Sequence, residues 1–157
     1  MRPPMLRASG LALIDDVGAG PVALDTAVFI YFIEEDERFL PAIAPLFEAA
    51  DSGNLELVTS ALTLLEVLVV PYRARDIALA ERYEAVLARS RGVRMVDLHR
   101  DHLRIAAQLR ATTGAATPDA LQLAAAVATG CSAFLTNDRR LPSLPGLGVI
   151  QLAPYAV

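Results

Sequence analysis

A chain of 157 residues, 54% of them hydrophobic, is the size of one domain around one core, and no Pro/Gly/Ser linker or low-complexity tract divides it. The formal net charge of −4 counts against a module that holds nucleic acid by global electrostatics, but not against an enzyme whose acids are offset by bound cations. No apolar run reaches the roughly 20 residues of a membrane span. The single cysteine, Cys131, has no partner for an internal disulfide and reads as a small core residue of a reducing compartment, so cytoplasmic residence is expected.

Residues 1–20, MRPPMLRASGLALIDDVGAG, read as an N-terminal extension ahead of a domain over 21–157. LALI is shorter than the roughly 7–15 residues of a signal-peptide apolar region, and Asp15 and Asp16 follow it, so a loose extension or an added strand is expected instead. VALD (Val22 to Asp25) predicts a first strand and AVFIYFIEE a helix. Pro41 to Ala50 predicts a second helix, stopped at Ser52-Gly53. LELVT (Leu55 to Thr59) is strand-like, and Ser60 can cap a helix through Val70 that breaks at Pro71. Arg75 to Arg89 has helical spacing at Ile77, Ala80, Tyr83 and Leu87, Gly92 precedes the strand VRMVDL, and a helix covers Arg100 to Thr112. Thr117-Pro118 opens a helix to Thr129, with Thr117 as cap and proline at the first helical position. The strands SAFLT and GVIQL finish the chain. Strands alternating with helices predict an α/β sandwich: a parallel sheet covered on both faces.

Four acids interrupt this apolar pattern: Asp25 in VALDTAVFIYF, Glu66 in ALTLLEVLVV, Asp119 in TPDALQLAAAV and Asp138 in AFLTNDRRL. An unpaired carboxylate among apolar neighbours costs several kcal/mol or gives up its charge. The chain has no lysine, and the first three runs hold no arginine, so a divalent cation is the economical partner. In a parallel α/β sheet, ligands bind outside the carboxyl ends of the strands. Asp25 ends the first strand, Asp138 follows SAFLT, Asp119 opens the helix that leads into SAFLT, and Glu66 lies about two turns into the helix that leaves LELVT. All four can reach one rim. Each also has a plainer explanation: Asp119 suits any helix N-terminus, and Asp138 can cap its own turn. Glu66 is the hardest to explain otherwise, because Leu62, Thr63, Val69 and Val70 surround it at helical spacing and predict a buried carboxylate.

Together these segments resemble a PIN domain, and most of all the VapC-type toxin ribonucleases of toxin–antitoxin pairs. The likeness runs from Val22 to about Leu152. LDTAVFIYF resembles the first motif, with Asp25 and Thr26. SALTLLEVLVVPYR resembles the second, with Glu66. AAQLRATTGAATPDALQLAAAVATG resembles the third, with Asp119, and FLTNDRRL the fourth, with Thr136 and Asp138. Only the N-terminal extension is out of pattern.

The resemblance implies a three-layer α/β/α sandwich with a mostly parallel central sheet, and Mg²⁺- or Mn²⁺-dependent cleavage of RNA by in-line attack of water, leaving a 5′-phosphate and a 3′-hydroxyl. It implies Asp25 and Asp119 as the most direct metal ligands, Glu66 as ligand or orienter of water, and Asp138 as the outer acid that helps hold a second ion. Thr26 and Thr136 then bond carboxylates or a phosphate, or simply cap backbone. Arg139 and Arg140, and behind them Arg73 and Arg75, are the candidates for RNA phosphates. His99 and His102, three apart beside Asp97 and Asp101, lack further ligands for a transition metal and read as a polar helix end.

The expected partners are RNA, a cognate antitoxin, and a second copy of the chain, as the apolar share suggests. Tyr31, Phe32, Phe39, Phe47 and the Pro71-Tyr72 turn are candidate surfaces, with core packing as the alternative. A catalytically silent PIN-like interaction module and a Mg²⁺-dependent phosphatase are the rival readings. The phosphatase needs a D-x-D opening where this chain has DTA. P-loop and receiver-domain readings fail for want of a lysine.

Overall fold

In the computed structural model, which describes residues 10–157, five short strands lie side by side: β1 (Val22–Leu24), β2 (Leu57–Ser60), β3 (Val93–Val96), β4 (Ala133–Thr136) and β5 (Gly148–Gln151). All pairings are parallel, in the order β3-β2-β1-β4-β5. Parallel neighbours need crossover connections, and helices supply most of them. These are α1 (Gly10–Asp16), α2 (Thr26–Ile33), α3 (Leu40–Asp51), α4 (Ala61–Arg73), α5 (Ile77–Arg89), α6 (Arg100–Thr113) and α7 (Thr117–Ala128), followed by a terminal 3₁₀ turn at Ala153–Tyr155.

Side-chain alternation along the strands divides the core into two layers. Val22 and Leu24 of β1, Leu57 of β2, and Ala133 and Leu135 of β4 face one way. They pack with Leu13, Phe29, Ile43, Leu46, Val67, Tyr83 and Leu87 from α1 to α5. Ala23, Val58, Val96 and Phe134 face the other way and meet Leu123, Ala125 and Ala126 of α7. Alanines Ala106, Ala120 and Ala124 bring α6 against α7 at close range. The result is the expected three-layer sandwich, with its sheet parallel throughout.

Several local expectations are corrected. Residues 1–9 of the extension lie outside the described residues, but from residue 10 it is helical: α1 rests on α3, with Leu13 and Val17 buried in the main core. The apolar run LALI is too short to announce this. The predicted break at Pro71 does not occur, because α4 continues to Arg73. Pro71 gives up only its own N–H bond, its ring is buried, and Ala74 N–H still reaches Val70 O at 3.0 Å. α7 begins at Thr117 itself, with Ala116 as cap residue and Pro118 in the second position, where a missing N–H is equally harmless. Phe39 and Phe47 are core residues rather than a docking surface: Phe47 stacks on Phe32, and Phe39 on Tyr31.

Where β3 begins, Gly92 has φ +79°, and a Cβ there would stand 2.3 Å from Ala50 O. Gly130, at φ +71°, has nothing within 4 Å. Gly130→Ala should therefore cost only the roughly 1–2 kcal/mol of a left-handed L-residue. Gly92→Ala should cost a further 1–3 kcal/mol or so for overpacking. Urea unfolding of the two variants checks this, and equal losses would refute the close approach of β3 to α3.

Candidate active site

Strand order creates the site. β1 hands the chain to β2 on one side, while β4 hands it to β5 on the other, so the two connections diverge and leave a crevice between the carboxyl ends of β1 and β4. Asp25 directly follows β1, and its N–H bonds Leu135 O at 2.9 Å across that boundary. Its side chain caps α2, with Oδ1 accepting from Thr26 N–H at 2.9 Å, while Oδ2 accepts from the Thr136 hydroxyl at 2.6 Å. Thr136, the last residue of β4, in turn accepts from Asp138 N–H at 3.0 Å. One threonine thus ties the first acid to the loop that carries the fourth.

Asp119 occupies the third position of α7, where the helix macrodipole favours a negative charge. Glu66 projects from α4, and the Thr26 hydroxyl donates to its Oε1 at 2.7 Å. Asp119 feels the charge of the other acids. Its carboxyl is held above the ordinary range, first by burial, then by the charges of Asp138 and Asp25, with Arg140 opposing and Glu66 adding to the rise. Asp138 moves the other way, because Arg140 grips it: Nε and Nη2 bond Oδ1 and Oδ2, both at 3.1 Å, and the Arg140 N–H bonds Oδ1 at 2.9 Å. The Asp119 carboxylate has no hydrogen-bond partner among the described residues.

Glu66 corrects an expectation. It is exposed rather than buried, because the face of α4 that carries Leu65, Val69 and Val70 is itself uncovered. Arg139 is also exposed, whereas the Arg140 guanidinium is engaged by Asp138. Arg73 and Arg75 are exposed past the far end of α4. His99 and His102 stand at the start of α6, where His102 Nδ1 accepts from His99 N–H at 3.0 Å. Cys131 is buried and its thiol pushed up by that burial, as suits a core residue.

Beneath the acids lies a buried polar cluster that the sequence does not reveal as one: Thr59, Ser60, Thr63 and Gln122, none more than 4% exposed. Gln122 is the one polar side chain in LQLAAAV of α7, and an amide inside an otherwise apolar helix was the signal that could have found it.

As donors for an ion, the crevice offers carboxylate and hydroxyl oxygens with no thiolate or imidazole, the chemistry hard cations prefer. Among the described residues, no three Asp, Glu, His or Cys side chains stand close enough together to hold a metal ion as a group.

Comparison with known proteins agrees with this fold. In fold the chain is similar to a chain of the crystal structure of VapBC2 from Rickettsia felis bound to a DNA fragment from its promoter. That likeness has a TM-score of 0.63 and 15% identity, and covers 83% of this chain and 97% of that one. It is also similar to a chain of a toxin–antitoxin complex from Klebsiella pneumoniae (TM-score 0.61, 21% identity, 87% and 99% covered). A third likeness is to DNA-bound VapBC from Salmonella typhimurium (TM-score 0.59, 22% identity, 84% and 98% covered). No curated protein matches the sequence at a significant level. The PIN domain family matches residues 22–147, which span every strand but β5 and all four acids. The chain therefore belongs to the PIN domain family, a family of nucleases.

Proposed function

We propose that this protein is a Mg²⁺- or Mn²⁺-dependent endoribonuclease and the toxin of a VapBC-type toxin–antitoxin pair. The observation that carries the reading is Asp119: a carboxylate without a hydrogen-bond partner among the described residues, raised by burial and by Asp138, Asp25 and Glu66. Such an arrangement wastes stability unless a cation joins it.

In this reading Asp25 and Asp119 hold the ion. When bound, the ion lowers the pKa of the attacking water and neutralises charge on the scissile phosphate. Thr136 keeps Asp25 turned inward, and Thr26 does the same for Glu66, which serves as ligand or as the group that orients the water. Asp138, steadied by Arg140, is the outer acid for a second ion. Arg139, exposed beside it, is free to meet an RNA phosphate. Water attacks in line with the leaving 3′-oxygen, giving a 5′-phosphate and a 3′-hydroxyl, and no protein nucleophile is needed.

The antitoxin partner rests on the fold likeness to VapBC and toxin–antitoxin complexes. A second copy of the chain is the further expected partner. Exposed Leu65, Val70, Tyr72 and Ile77 on α4 and α5 supply apolar surface for association. A cytoplasmic site of action is proposed with the RNA substrate. Among the described residues, no helix is long and apolar enough to cross a membrane.

Asp119→Asn should abolish Mg²⁺-dependent RNA cleavage, a greater loss than the roughly 10–100-fold expected for an outer partner. It should also remove the rise in melting temperature that Mg²⁺ gives the wild type. Cleavage assays and thermal melts, with Mg²⁺ or EDTA, check both, and a variant that cuts at the normal rate would contradict the assignment. Wild-type protein that cuts equally well in EDTA would contradict the metal requirement.

The pH dependence has a definite sign. A carboxyl raised in the folded state gives stability that is complete below its unfolded value and lost as pH rises through its folded value. Charged Asp119 therefore costs stability at neutral pH without divalent ions. Asp119→Asn should melt higher than wild type in EDTA near pH 7, and this gain should vanish near about pH 3. Identical melts at neutral pH would refute the crowding of charge around Asp119.

A further inference from the structure

Glu66 is exposed, yet it is held toward Thr26, and the reason lies below it in the protein. Gln122 is 4% exposed and carries two N–H protons that water cannot satisfy. Nε2 lies 3.1 Å from the Thr26 hydroxyl and 2.8 Å from the Thr63 hydroxyl, while Oε1 lies 2.8 Å from Ser60 Oγ.

Only one orientation of this amide satisfies every group. Ser60 Oγ already accepts from Leu62 N–H at 3.2 Å, so its own proton is free to donate to Gln122 Oε1. With the amide reversed, the buried Ser60 hydroxyl would face an N–H donor and lose its acceptor. Gln122 would then offer the Thr26 proton a second acceptor in competition with Glu66. In the orientation seen, Nε2 donates to both threonines. Thr26 Oγ1 then accepts from Gln122, and its single proton goes to the Glu66 carboxylate 2.7 Å away, the strongest acceptor within reach. Thr63 keeps its proton for Thr26 at 3.0 Å or Thr59 at 2.8 Å, and either choice leaves the bond to Glu66 intact.

We propose that Gln122 is a positioning residue: by donating to Thr26 it directs the Thr26 proton onto Glu66 and fixes an otherwise mobile surface carboxylate at the metal site. Its effect on catalysis rests on the nuclease reading above, but its effect on Glu66 does not. Hydrogen bonds arranged donor to acceptor in a row polarise one another, so a neutral amide buried under α4 strengthens the grip on an acid at the surface. Thr63 shares the same amide without touching Glu66, and so should matter for stability alone.

NMR on the metal-free, RNA-free protein tests this directly. In wild type, the Nε2 protons of Gln122 should show contacts to the Thr26 and Thr63 side chains, and the Glu66 methylenes should relax as an ordered side chain. Gln122→Met keeps length and apolar volume while removing both donors, and Thr26→Val removes the link. Each should free Glu66, the double variant should free it no further than Thr26→Val alone, and Thr26→Ser should restore order. Thr63→Val should lower the melting temperature and leave Glu66 ordered.

With RNA and Mg²⁺, Gln122→Met should lower kcat by about 10–100-fold with little change in KM. A Gln122→Met protein that melts lower while Glu66 stays ordered and kcat is unchanged would overturn the proposal. So would Nε2 protons found against Ser60 in wild type, a result that needs no variant to fold. If wild type cuts no RNA, the nuclease reading fails while the order of Glu66 still decides this one.

Discussion

Like charges do not gather unaided, and the carboxylates at the ends of neighbouring strands have to be held there by forces other than their own interaction. In this protein the holding force is the sheet. Its strand order places β1 beside β4 with their connections leaving in opposite directions, and the crevice between them is the place where the backbone can bring Asp25 and Asp138 within reach of each other. Val22, Leu24, Phe134 and Leu135, all buried, fix the two strands in register and so fix the acids. The stability of the apolar layers bears the electrostatic cost at the rim, as expected where local strain or repulsion serves function.

Each acid is met differently. Asp25 has a backbone N–H and the Thr136 hydroxyl, Asp138 has Arg140, and Glu66 has Thr26. Asp119 is left to the helix dipole, and burial with its neighbours' charges holds its carboxyl above the ordinary range. Asp119 and Asp138 shift in opposite directions, Asp119 upward through burial and the neighbouring acids, Asp138 downward through Arg140. Beneath them the buried hydroxyls and the Gln122 amide form a second, hydrogen-bonded layer.

Much of this could be read in the sequence because its signals were local. Asp25 stands between an apolar strand and an apolar helix, Pro118 marks the first turn that carries Asp119, and glycines close the elements that precede the next strand. What could not be read was set by contacts distant in the chain. Gln122 meets Ser60 and Thr63 only after β2, α4 and α7 have packed, and nothing near Gln122 in sequence names those partners. Burial of Glu66 was expected from its neighbours on α4, but a helical face announces apolarity and not what covers it. Pro71 continues its helix because tertiary packing outweighs one lost hydrogen bond, and α1 exists because α3 offers it a surface.

The most direct measurement of the central claim is anomalous diffraction from crystals soaked in Mn²⁺. The account predicts a manganese peak in the crevice between β1 and β4, bounded by Asp25 and Asp119 and lost in Asp119→Asn. A crevice without density at saturating Mn²⁺, or manganese bound only by carboxylates elsewhere on the surface, would contradict it.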